Sequence, residues 1–335
     1  MRAVVLREHG GPDALSLEKD FPDPGCGHGE VVVRVRSTSL NYHDIFTRNG
    51  MPGIRIAMPM ICGLDVAGEI AETGPDAGPW KPGDRVLIDP RNRVEGGLVG
   101  ETIHGGLAEY CRAPTHQLVR IPDGVSFDQA ASLPVAYGTA HRMMLTIGNV
   151  TADDRVLILG ASGGVGTGAL LLARMAGAEV VVCASSSEKM QRLRELGADH
   201  AMSYMDNEFH KGVYQLYGKP ARRSFDGGVT MVVNFTGGET WVPGLRSLRR
   251  GGRMLTCGAT AGFDPKTDIR FIWTFELQIL GSNSWERDDL AALMNYIRDG
   301  RMAPVIDRAL PLEQAQEGIR LIEDREVFGK VVINP

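Results

Sequence analysis

The stretch Arg155-Val-Leu-Ile-Leu-Gly160-Ala-Ser-Gly163-Gly164-Val-Gly166 runs an apolar segment straight into closely spaced glycines. Gly168-Ala-Leu-Leu-Leu-Ala-Arg-Met-Ala-Gly177 then reads as a helix, and a second apolar run, Ala178-Glu-Val-Val-Val-Cys-Ala184, follows it. Strand, glycine turn and helix in this order outline a dinucleotide phosphate cradle. Glycines permit the tight turn and let backbone approach a pyrophosphate, whose charge faces the helix N-terminus. Gly160, Ser162, Gly163, Gly164 and Val165 are the expected contacts. The competing reading is a glycine-rich turn between buried elements.

Outward from this turn, the pattern is helical over 127–144, and strands then alternate with helices to about residue 283. Such alternation predicts a parallel sheet with strands at 155–159, 179–184, 230–235, 252–257 and 277–282, joined by right-handed crossovers. Residues 1–125 have a different texture, with short strands such as 30–36 and 84–88 broken by Gly and Pro. The last segment combines helices at 288–298 and 312–323 with a strand at 330–334, and returns to the β-rich part. The stretch from Met205 to Gly228 reads as a helix with surface loops. The expected fold class is α/β: a nucleotide-binding domain over 126–283, inserted into a β-rich domain made of 1–125 and 284–335. A cleft between two such domains is a favoured place for a small-molecule substrate.

A length of 335 residues favours about two domains. The net charge of −5 argues against a nucleic-acid partner, because such surfaces carry a basic excess. No apolar run approaches the roughly 20 residues of a membrane helix. Met1-Arg-Ala-Val-Val-Leu-Arg-Glu-His-Gly soon turns polar, without the apolar core of a signal peptide. The five cysteines are scattered and form no Cys-x-x-Cys pair, which fits reduced, mostly buried thiols. A cytoplasmic protein with no membrane partner is the expectation.

Several separated motifs then coincide. Ser39-Leu-Asn41-Tyr-His-Asp44, Gly63-Leu-Asp65-Val-Ala-Gly68, Lys81-Pro-Gly-Asp-Arg-Val86, Gly105-Gly-Leu-Ala-Glu-Tyr110, Leu196-Gly-Ala-Asp199, Gly251-Gly-Arg253 and Gly329-Lys-Val-Val332 accompany the glycine turn. Together they resemble the medium-chain dehydrogenases and reductases over nearly the whole chain, especially the zinc-free quinone and enoyl reductase branch. The resemblance implies a GroES-like β domain, a doubly wound Rossmann domain and hydride transfer from a nicotinamide.

Zinc alcohol dehydrogenases of that family take metal ligands at positions that match Asn41, Leu64 with Asp65, and Val135 here. Leucine and valine cannot coordinate a metal, and Asp89 to Tyr110 lacks the four cysteines of the structural zinc lobe. His43 and Asp44 are adjacent polar groups without further ligands, so no metal is expected. That absence bears on chemistry. An alcohol ionises at a pKa of roughly 16 and a metal can bring a bound oxygen acid to about 7, a gain of roughly 12 kcal/mol. No Tyr-x-x-x-Lys arrangement replaces the metal. A quinone or activated alkene is an easier substrate, because charge flows to an oxygen that needs only hydrogen-bond donors.

For the cofactor, the carboxylate that would hold a ribose 2′-hydroxyl in an NAD site is replaced by Ser185, Ser186 and Ser187, with Lys189 close behind. Hydroxyls and a cation suit a 2′-phosphate, and Tyr204 matches a tyrosine of similar NADPH-using reductases. NADPH is therefore expected. The other reading has the serines capping the next helix and Lys189 solvated. Thr139 matches a family threonine beside the nicotinamide, and Asn234 and Gly258 follow two later strands, where open sheets bind ligands.

The resemblance assigns Asn41, Tyr42 and Asp44 to the nicotinamide and substrate pocket. Asn41 would hydrogen-bond substrate or cofactor. Tyr42 would polarise the acceptor oxygen or relay a proton, unless it is a buried aromatic; Asp44 would orient Asn41 or backbone. Asp65 is either a cleft residue or a structural acceptor. Phe271, Ile272 and Trp273 belong to a dimer-facing or pocket-facing part, and 277–282 is an edge strand suited to a homodimer or higher homo-oligomer. Arg91 and Arg93 either attract an anionic substrate or sit in a solvated loop. The reading that results is an NADPH-dependent, metal-free oxidoreductase of quinones or α,β-unsaturated carbonyl compounds. The alternatives are an atypical alcohol dehydrogenase and a non-catalytic NADPH-sensing or nucleic-acid-binding protein.

Overall fold

A computed structural model describes every residue except Pro52, Asp206 and Asn207; the last two fall within the expected 205–228 helix-and-loop stretch, and so lie outside the described residues. The chain divides into two units: Met1–Ala136 with Arg287–Pro335, and Tyr137–Glu286. These divisions fall later than 125/126 and 283/284. The helix Phe127–Ala131, started by a reciprocal Ser126–Gln129 capping box, packs on strands of the first unit.

The second unit holds a six-stranded parallel sheet. Its order is His200–Ser203, Glu179–Ala184, Arg155–Ile158, Val229–Val233, Leu248–Thr256, Gln278–Gly281. Numbered along the chain this is 3-2-1-4-5-6, the doubly wound order, with the topological switch between Arg155–Ile158 and Val229–Val233. Both faces are covered, so the inner strands are nearly continuous apolar runs. Leu157, Val181, Val232 and Met254 from four neighbouring strands share one core with Phe209, Val213 and Leu245. The edge strands are half-exposed or exposed, and His200–Ser203 has only the pair Ala201-Met202 as its apolar signal.

The first unit is β-rich. In its seven-stranded sheet, Glu30–Ser39 pairs antiparallel with Asp65–Thr73, Tyr110–Pro114 and Lys330–Asn334. Ile306–Pro311, a polar edge strand absent from the expected set, runs parallel to Lys330–Asn334. A three-stranded sheet of Leu15–Glu18, Ala3–Leu6 and Met60–Ile61 lies over a second core. The pairings bring Ser39 opposite Asp65, and Val332 opposite Ser39, so three distant segments meet at the end of one strand. Among the described residues no helix is long and apolar enough to cross a membrane.

Candidate functional site

In the first unit the strand Glu30–Ser39 ends and the chain turns at Asn41 into the helix Tyr42–Asn49. Asp44, in the first turn, accepts the Asn41 N–H (2.8 Å) through one carboxylate oxygen and the Gly63 N–H (2.9 Å) through the other. It therefore orients backbone on two segments. It is fully buried, and burial pushes its carboxyl up to about 6, despite the opposing N–H donors and His43.

Asn41 and Asp65 are joined by a residue that pattern reading leaves without a role. Lys330 Nζ donates to Leu40 O (2.8 Å), Asn41 Oδ1 (2.5 Å) and Asp65 Oδ2 (3.4 Å). Three acceptors match the three N–H bonds of an ammonium. Burial pulls the Lys330 ammonium below the ordinary lysine range, against the attraction of Asp65 and Asp44. Asp65, 0% exposed, also accepts from Ser39 Oγ (2.8 Å), Asn41 Nδ2 (2.9 Å) and the Val135 N–H (3.0 Å). Asn41 Nδ2 makes a further bond to Ser39 O at 3.3 Å. Because the ammonium can only donate, it fixes the amide with its oxygen toward Lys330, and both donors of the amide are spent. The signal for Lys330 is a lone charge opening the apolar strand Lys330-Val-Val-Ile-Asn334.

Tyr42 is half-buried, edge-on to Phe46 at 5.2 Å, and its hydroxyl has no hydrogen-bond partner among the described residues. His43 Nε2 lies 2.6 Å from Glu101 Oε2. Leu64, at the matching position of a histidine ligand, is a core residue. Among the described residues no three His, Cys, Asp or Glu side chains converge to hold a metal ion. Arg93 bonds the buried carboxylate of Asp89, and the Arg91 N–H donates to the same group at 3.2 Å, so the loop is tied down from within.

In the second unit the helix Gly164–Met175 starts directly after the glycine turn. Gly160 has φ +67°, a left-handed conformation that favours glycine. A Cβ on Gly166 would sit 2.5 Å from Gly160 O and 2.6 Å from Ala161 Cα, so helix and turn touch backbone to backbone. At Gly163, by contrast, the nearest such atom is 3.7 Å away, and Ser162, Gly163, Gly164 and Val165 are half-exposed. The helix thus presents an open N-terminus on a tight turn at the switch point, which fits a dinucleotide phosphate.

Ser185 is exposed at the end of the next strand, and Ser186 Oγ accepts the Lys189 N–H (3.2 Å), capping the helix Ser187–Glu195. Tyr204 is half-buried against the sheet core, and Thr139 is 8% exposed on its helix. Asn234 is fully buried. Its Oδ1 accepts from Thr236 N–H, Gly237 N–H and Thr240 Oγ, so it shapes its own loop. That loop is bonded to the exposed 258–262 turn through Ala261 N–H to Thr236 O (2.8 Å) and Gly238 N–H to Gly262 O (2.8 Å). Gly160, Ser185, Asn234 and Gly258 follow the ends of four adjacent parallel strands and so gather at one edge of the sheet.

Comparisons with known proteins agree with this architecture. Residues 27–123 match the family model described as alcohol dehydrogenase GroES-like domain, and 164–299 the one described as zinc-binding dehydrogenase. The crotonyl-CoA reductase of Streptomyces avermitilis is 30% identical, over 93% of this chain and 80% of its own length. The acryloyl-coenzyme A reductase of Sulfurisphaera tokodaii is 29% identical over all of both chains. The quinone oxidoreductase of Homo sapiens is 28% identical over 99% of this chain and 97% of its own. A crystal structure of an NAD-dependent alcohol dehydrogenase superposes with a TM-score of 0.91 at 33% identity, with both chains fully covered.

Proposed function

The chain belongs to the medium-chain dehydrogenase/reductase superfamily, and from that premise we propose that it is an NADPH-dependent, metal-free reductase of quinones or α,β-unsaturated carbonyl compounds. The observation that carries the reading is the Lys330 ammonium bonded to both Asn41 and Asp65. These residues match metal-ligand positions of the zinc dehydrogenases, and here both are committed to an organic cation. Asp65 has its counter-charge within the fold, and Leu64 offers no lone pair.

Bound at the glycine turn, the reduced nicotinamide supplies hydride. Ser162–Val165 at the helix start would hold its phosphates, and Ser185 with the start of the helix Ser187–Glu195 would receive a 2′-phosphate. Acceptors that delocalise charge onto oxygen need only a hydrogen-bond donor, and the unspent Tyr42 hydroxyl is one. The relatives named as acryloyl-CoA, crotonyl-CoA and quinone reductases favour this substrate class. The similarity to an NAD-dependent alcohol dehydrogenase favours the second reading, alcohol oxidation.

One experiment separates them. Metal-stripped protein is offered NADPH with a panel of quinones, enones and enoyl thioesters, and NADP⁺ with alcohols, before and after zinc is added. Reduction that zinc leaves unchanged supports the reductase; inertness relieved by zinc with an alcohol substrate overturns it. The reading includes a homodimer paired through the exposed edge strand Gln278–Gly281, checked by sedimentation equilibrium.

A further inference from the structure

The proposed reduction consumes one proton beside the acceptor, and the groups around Asn41 differ in what they have left to give. Asn41, Asp44, Asp65 and Lys330 are buried and spend their hydrogen bonds on one another, on Ser39 and on backbone. Asp65 only accepts, and a proton taken from Asn41, Asp44 or Lys330 leaves a buried group unsatisfied or a charge unpaired.

His43 lies on the same helical turn and is placed differently. Its side chain is 29% exposed, and that of Glu101, 2.6 Å from its Nε2, is 10% exposed. Phe46 packs edge-on to the ring at 6.4 Å, while the neighbouring Asp44 carboxyl is turned onto Asn41 and Gly63. A carboxylate only accepts, so Glu101 keeps a proton on Nε2 and makes Nδ1 the reactive position. Nδ1 has no partner among the described residues.

We propose that His43, oriented by Glu101, is the proton donor of the reduction, an assignment that rests on the reductase reading above. As the β-carbon of an enone or enoyl thioester gains hydride from NADPH, the C=C π pair becomes the new double bond between the α-carbon and the carbonyl carbon, and the C=O π pair moves onto the oxygen to give an enolate. The Nδ1–H bond of the doubly protonated ring breaks, its electron pair stays on Nδ1, and an O–H bond forms on the enolate. His43 is left neutral, with Nε2–H toward Glu101, and solvent returns a proton to the partly exposed ring. NADPH and one proton are consumed; NADP⁺ and the reduced acceptor result.

The test combines kinetics with a readout that needs no turnover. His43→Ala lowers kcat with an enone by about 100-fold or more, leaves the NADPH Kd within about twofold, and regains activity when imidazole is added. Glu101→Gln shifts the tautomer balance of the neutral His43 ring away from Nε2–H, followed by ¹⁵N NMR in free protein. Full activity in His43→Ala, a loss that imidazole does not relieve, the same loss in Tyr42→Phe instead, or a His43 tautomer indifferent to Glu101→Gln overturns the assignment. A wild type inert toward every acceptor removes the reductase reading and this assignment together. An active wild type with an indifferent His43→Ala removes this assignment alone.

Discussion

Lys330 Nζ lies 2.5 Å from Asn41 Oδ1, although the two residues stand 289 positions apart in the chain. The contact sets the orientation of the Asn41 amide and gives the buried Asp65 its counter-charge. Lys330→Met leaves Asp65 buried without a cation, and removing one partner of such a pair costs about 3–5 kcal/mol. The expected outcome is a loss of that size in urea unfolding. The double variant Lys330→Met/Asp65→Asn should lose less than the sum of the single changes. Additive losses would mean that the pair is uncoupled.

Asp44 carries a pH signature. Its carboxyl is pushed up to about 6 from an ordinary 3.8, so the folded chain binds the proton more tightly than the unfolded one. The resulting stabilisation is present at the acid end and is lost as pH rises from about 4 through about 6, on the order of 3 kcal/mol. The stability of wild type relative to Asp44→Asn should therefore fall over that range in urea titrations. A difference that is constant with pH refutes the assignment.

Two neighbouring glycines should respond in opposite ways. Gly166→Ala drives a methyl into the Gly160 and Ala161 backbone and should destabilise the second unit by about 2 kcal/mol or more. Gly163→Ala meets nothing nearer than 3.7 Å and keeps a negative φ, so its melting temperature should stay close to wild type while its KM for cofactor rises. Thermal unfolding and initial rates together decide it.

Cofactor preference should turn on Ser185, exposed at the end of its strand. Ser185→Asp sets a carboxylate against a 2′-phosphate and should lower the NADPH-to-NADH ratio of kcat/KM by about tenfold or more, with Lys189→Ala moving it the same way by less. A wild type that prefers NADH refutes the NADPH assignment.

The parts of this fold that are legible in sequence are those buried on both sides. Arg155–Ile158, Glu179–Ala184 and Val229–Val233 lie inside a covered sheet and read as apolar runs. His200–Ser203 and Ile306–Pro311 lie at edges, where half-exposed positions accept polar residues and the periodicity is lost. At the site, Asn41, Asp44 and Asp65 attract notice as polar residues in glycine-flanked or helix-start settings. Lys330 does not, because its partners depend on strand pairing between distant segments. Asn234 shows a further limit: an asparagine after a strand reads the same whether its side chain serves a ligand or its own loop, whose backbone its Oδ1 bonds.

The first unit is assembled from both sides of the inserted second unit, and this bears on how the protein is made. During synthesis, Asn41 and Asp65 leave the ribosome long before Lys330, and all of Tyr137–Glu286 is translated in between. The inserted unit can fold while the first still lacks its internal cation and the strand Lys330–Asn334. Until that strand arrives, the Thr38–Ser39 end of Glu30–Ser39 lacks one of its partners beside an uncompensated carboxylate. A nascent chain stalled before residue 330 thus carries an unpaired strand end and a buried carboxylate without its cation, although its second unit is fully translated.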